Sequence, residues 1–156
     1  MIFRLACAAV AICIATHSSA SEFCSPKAAF RICHALHQTE QPSYAFYSNC
    51  MDTQKAACEA ALDLSQKFFP SSTEGEKAAL QNCATNDAGR LDWIYSFECG
   101  MNVAKVRNER IYTKFLADRS LQDPGNLGAT CTNLYVAADD VRRCLGDNKH
   151  LFLPTE

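Results

Sequence analysis

The stretch CSPKAAFRICHALHQTEQPSYAFYSNCMDTQKAAC, Cys24 to Cys58, carries the reading on which the fold turns. Apolar residues recur in it at three- and four-residue steps, the spacing of one face of an α-helix. The run is interrupted once, at Thr39-Glu40-Gln41-Pro42-Ser43, where proline and short polar side chains favour a turn. Cys33 and Cys50 stand near-symmetrically about that break, and Cys24 and Cys58 do so further out. Two helices folding back antiparallel climb from their turn at the same rate, about 1.5 Å per residue, so symmetric positions face each other. Cys33–Cys50 and Cys24–Cys58 are therefore expected as two rungs of a ladder.

Upstream of this hairpin the chain changes character. Met1-Ile2-Phe3-Arg4 carries one positive charge, and the apolar run from Leu5 to Ile14 is too short to span a bilayer. Small residues follow, with Ser18 and Ala20 suitably placed for cleavage. The segment 1–20 thus reads as a secretory signal peptide, with 21–156 as a single all-α cysteine-rich domain. Secretion would remove Cys7 and Cys13 and leave eight of the ten cysteines, an even number. It also removes Arg4, so 14 basic residues face 17 acidic ones, a net charge of 14 − 17 = −3.

Downstream, the helical period continues. Ser25-Pro26 suits the start of the first helix, and Ser43 the start of the second, which Phe69-Pro70 ends. Thr73-Glu74-Gly75-Glu76 has capping-box spacing and opens a third helix with Leu80, Cys83 and Ala84. Asp87 is placed to cap a fourth, carrying Leu91, Ile94, Phe97, Met101, Ala104, Ile111 and Phe115, with Gly100 as a weak point. Asp123-Pro124-Gly125-Asn126 marks a loop, and a fifth helix takes Cys131, Leu134, Ala138, Val141 and Leu145 inward. Leu151-Phe152-Leu153 in the tail can dock or stand as a small exposed patch. No segment sustains a period of two. The expected fold is all-α: a single disulfide-stapled bundle of about five helices.

Eight cysteines in an oxidising compartment imply four bridges. Beyond the first hairpin, the loop near residue 122 sets Cys99 opposite Cys144, which leaves Cys83 for Cys131. Cys58 with Cys83 is a rival, since the two are symmetric about Pro70-Ser71. The spacings Cys24-x8-Cys33 and Cys50-x7-Cys58 depart from the twin Cys-x9-Cys pattern, and no Cys-x3-Cys or Cys-x2-Cys step occurs in the mature chain.

Little in the chain points to chemistry. His34 and His37 lie on one helical face without a matching third ligand, so neither a metal nor any other cofactor is expected. A Gly-x-Ser-x-Gly elbow is absent and the cysteines are expected to be bridged, so no catalytic residues are assigned and the chain is read as a non-enzyme. A mildly acidic, mixed surface argues against nucleic acid as a partner, and no apolar run is long enough for a membrane span. Arg107, Arg110 and Lys114 share a helical face and form a candidate contact surface for an acidic partner. Trp93, Tyr95, Phe97, Tyr112, Phe115 and Tyr135 are core residues or the lining of an inter-helix cavity. Two functions remain from these residues. One is a secreted interaction protein, an effector or toxin-like component of venom, saliva or body fluid that engages a protein or receptor. The other is an extracellular carrier of a small apolar ligand.

Overall fold

The computed structural model describes residues 23–37, 43–86 and 88–155. The expected signal peptide, the turn residues 38–42 and the expected cap Asp87 lie outside them. The protein is all-α. Among the described residues the helices are α1 Pro26–Leu36, α2 Tyr44–Phe68, α3 Glu74–Gln81, α4 Trp93–Ala117, α5 Leu127–Leu134 and α6 Ala138–Asp147. A short antiparallel pair, β1 Leu121–Gln122 with β2 Leu153–Pro154, completes the set.

Local chemistry sets the helix starts. Ser25 accepts the Ala28 N–H at 3.3 Å and Pro26 takes the first helical position, where its missing N–H costs nothing. Thr73 and Glu76 form the reciprocal capping box, with N–H to side-chain distances of 2.9 and 3.3 Å. The fourth helix begins later than the sequence suggested. Asn86 Oδ1 accepts the N–H groups of Ala88 and Arg90, and Gly89 adopts φ +69°, so a turn precedes the helix. Asp92 then caps α4 by accepting from Ile94 and Tyr95 at 3.1 and 3.3 Å. Leu91 precedes the helix and is exposed.

Contacts divide the chain into two compact units. The first comprises the described residues up to Asp63 together with Gln81–Glu98, the second Leu64–Leu80 with the described residues from Cys99 onward. In the first, Cys24, Ile32, Cys58 and Trp93 form the core, flanked by Phe23, Leu36, Ala57, Ala61 and Leu62. Cys24–Cys58 and Cys33–Cys50 are both formed here, with Cα separations of 5.6 and 6.1 Å. In the second, Phe115, Cys131, Val141, Leu145 and Phe152 pack together. Gly100 sits in one continuous α4, where a Cβ would approach Leu64 Cδ2 to 2.7 Å. Glycine there lets two helices close in.

The second unit corrects the sequence reading twice. The expected fifth helix is two, α5 and α6, separated at Tyr135-Val136-Ala137, where Tyr135 and Ala137 are extended. No glycine or proline causes the break. Asn108, 1% exposed, donates to the carbonyls of Thr132 (3.0 Å) and Tyr135 (2.7 Å), and Arg107 donates to that of Val136. These carbonyls are the ones a continuing helix would have used. Cys131 pairs with Cys144, in place of the expected Cys99–Cys144 and Cys83–Cys131. In one unbroken helix, cysteines 13 residues apart would be separated by about 20 Å; across the break their Cα atoms are 5.7 Å apart. Cys83 and Cys99 are disulfide-bonded as well.

Candidate binding groove

An open groove of about 530 Å³ is cut into the first unit, lined by Phe23, Ser25, Lys27, Ala28, Arg31, Leu91 and Trp93. Its two walls come from distant parts of the sequence. Lys27, Ala28 and Arg31 lie on α1, whose opposite face buries Ala29, Ile32 and Cys33. Helical spacing of four sets Lys27 and Arg31 one above the other, both exposed. Leu91 and Trp93 form the other wall at the start of α4.

Three ties hold these walls. The Cys24–Cys58 bridge fixes the entry to α1 against α2. Arg90 Nη1 donates to the Ala35 carbonyl at 3.1 Å, which joins the turn before α4 to the far end of α1. Gln54 supplies the third tie from within α2. It is 1% exposed, donates to Asp92 Oδ1 at 3.0 Å and accepts the Trp93 N–H at 2.9 Å. Both ends of a buried amide are thus satisfied, and they pin Trp93 in place. The indole meets Phe23 edge-on with ring centroids 4.9 Å apart, an arrangement favoured by the ring quadrupoles.

The electrostatics of the groove are one-sided. No carboxylate of the described residues forms an ion pair with Lys27 or Arg31, whereas Lys55, Lys77, Lys114, Arg142 and Arg143 each have one. Two exposed cations therefore stand over an aromatic and aliphatic floor in a protein that is acidic as a whole.

The cationic surface expected on α4 is not assembled as the sequence implied. Arg107 is 3% exposed, and its guanidinium donates to the Phe68 and Val136 carbonyls and to Ser72 Oγ at 3.0 Å, while stacking 4.1 Å over the Phe68 ring. Burial lowers its pKa, opposed by the charge of Glu76. Arg107 is a structural cation. Arg110 and Lys114 are exposed, and Lys114 pairs with Asp118 at 2.9 Å.

Of the aromatics expected as core or as cavity lining, Trp93 lines the groove, and those of the second unit have separate roles. Phe115 packs on Phe152 at 5.5 Å, Tyr135 is exposed, and Tyr112 donates to Asp123 Oδ2 at 2.7 Å. That carboxylate also accepts the N–H groups of Leu127 and Gly128 and caps α5. Burial and the bond to Asp123 push the Tyr112 phenol up to about 12. Burial disfavours the Asp123 carboxylate, but the bonds from Gly128, Tyr112 and Leu127 outweigh it and hold its pKa below the ordinary value.

His34 and His37 pack their rings against Phe30 and Phe46, at 6.1 and 4.7 Å. Among the described residues no three His, Cys, Asp or Glu side chains are placed to hold a metal, and no helix is long and apolar enough to cross a membrane. Gln54 was missed in the sequence, although it lies four residues from both Cys50 and Cys58 and so on their stripe. The i,i+4 pair Lys27 and Arg31 was equally visible, but nothing local announces that Leu91 and Trp93 come to lie beside it. Comparison with known protein families, with curated proteins and with solved structures finds no match.

Proposed function

We propose that this is a secreted binding protein of a body fluid, acting without covalent chemistry, and that the groove of the first unit is its binding surface. One observation carries the reading: Phe23, Leu91 and Trp93 form an apolar floor beside Lys27 and Arg31, two cations without a carboxylate partner among the described residues. Small-molecule sites combine an apolar lining with a few converging polar groups in roughly 300–1,000 Å³, and the groove falls within that range. With all eight cysteines of the described residues in disulfides, none of them supplies a thiolate nucleophile. The groove favours a small ligand over a protein or receptor as the bound species, because its volume of about 530 Å³ is of the size such ligands fill.

The test is binding of the neutral dye Nile red to the oxidised protein, read by energy transfer from Trp93, which is the only tryptophan in the chain. Saturable transfer that is lost in Ala28→Phe, where a ring fills the groove, is the expected result. A dye that does not bind, or binds equally well in Ala28→Phe, would remove the groove from the account.

A further inference from the structure

We infer that the ligand of the groove is an amphipathic anion: a single carboxylate, or a group of like charge, on an unbranched or aromatic apolar body. The inference rests on the binding reading above and specifies the chemistry it would accept. Lys27 and Arg31 project from the same side of α1 one turn apart, a spacing at which two side chains can converge on one small anionic head. Arg31 brings a planar fork that matches both oxygens of a carboxylate, and Lys27 adds a mobile point charge. Both lie on a helix whose N-terminal end, with Ser25 and Pro26, adds a positive dipole end near Lys27.

The apolar half of the ligand has its own partners. From the cationic wall the groove continues onto Leu91, Trp93 and Phe23. Leu91 is exposed at 41% and Phe23 is half-buried, so a flat or extended hydrocarbon can lie against them, while the largely buried Trp93 offers only a small part of its surface. The chain carries a net negative charge, yet among the described residues no acidic side chain lines the groove. An anion is thus drawn to this place and disfavoured over the rest of the surface. A neutral apolar molecule would leave the cations unused, and a cationic one would be repelled by them. A protein segment would have to enter between the two walls rather than lie across them.

The experiment is a titration of the oxidised, secreted protein with monomeric decanoate, decanol and decyltrimethylammonium, followed by Trp93 emission. Decanoate is expected to give a saturable change, with decanol about tenfold weaker or more and the ammonium weakest, since charge-assisted hydrogen bonds are the stronger kind. The double variant Lys27→Met and Arg31→Met keeps the apolar stems of two exposed residues and should bring decanoate to the level of decanol. Lys27→Arg should retain the preference. Decanol binding as tightly as decanoate, or a double variant that still prefers decanoate, would overturn the anion inference while leaving the groove as a binding site. A response to anionic phospholipid vesicles but not to monomeric decanoate would overturn it in favour of a membrane surface. No response of Trp93 to any of the three amphiphiles, together with no Nile red binding, would remove the binding reading itself.

Discussion

A guanidinium buried as deeply as Arg107 must recover, from fixed partners, the hydration it has lost. It does so with two carbonyls, a hydroxyl, the Asn108 amide oxygen and the Phe68 ring. Arg107→Met would fill the space but take from the Val136 carbonyl its guanidinium donor, while the Phe68 carbonyl keeps the Ser72 hydroxyl. A loss of roughly 2–4 kcal/mol in chemical unfolding is expected, with groove binding unchanged. Asp123 makes a second prediction. Its folded pKa is depressed, so the carboxylate binds protons less readily folded than unfolded. It therefore adds stability above the ordinary value of about 4, and that part is lost as pH falls below it. Asp123→Asn should be less stable at neutral pH and less sensitive to acid. Tyr112 has the opposite sign: raised from 10.0 to about 12, it stabilises the fold below pH 10 and loses that contribution as pH rises through 12. Ultraviolet titration of the phenols should show a late component near 12 that shifts down in Asp123→Asn. Caps such as Ser25 and Thr73–Glu76 could be read from sequence because they act within four residues. The burial of Arg107 could not, because its partners at 68, 72 and 136 lie 29 to 39 residues away.

At the level of elements, the first hairpin and the last differ in how openly they are written. The Cys24 to Cys58 segment carries a turn signal in its own sequence, and symmetry about that signal places both rungs correctly. The turn between α5 and α6 has no such signal. Tyr135-Val136-Ala137 would continue a helix if α4 did not capture its carbonyls through Arg107 and Asn108. Centring the symmetry on the conspicuous Asp123-Pro124-Gly125 loop therefore gave the wrong partner for Cys144. Removing this bridge by Cys131→Ala with Cys144→Ala should lower stability by about 3 kcal/mol, as expected for a loop near 15 residues, without destroying the fold. Asn108→Leu should cost more than its size suggests, since it releases two carbonyls at the break. The tail is similarly divided: Phe152 is buried against Phe115, while Leu151 and Leu153 remain exposed on either side of it.

For the molecule as a whole, the eight cysteines of the described residues are all bridged, which gives the helices a covalent frame. Oxidised, folded material should show no free thiol at these positions and weigh about 8 Da less than its reduced form, one hydrogen per bridged cysteine. Peptide mapping without reduction should recover Cys131 linked to Cys144, and a Cys99–Cys144 peptide would contradict the second unit as described. All-α character was legible from periodicity alone, because every apolar stripe has the helical step. The groove was not, because it is made by two segments that only tertiary contacts through Gln54, Arg90 and Cys58 bring together.

The binding proposed above has a definite place, the groove between α1 and the residues that lead into α4. Chemical-shift mapping of the isotopically labelled protein during titration with decanoate tests it most directly. The largest shifts are expected on the Trp93 indole, the Lys27 and Arg31 side chains and the backbone of Ala28. Shifts concentrated instead at Arg110 and Lys114, or on the exposed rings of Phe30, Tyr44 and Phe46, would contradict it.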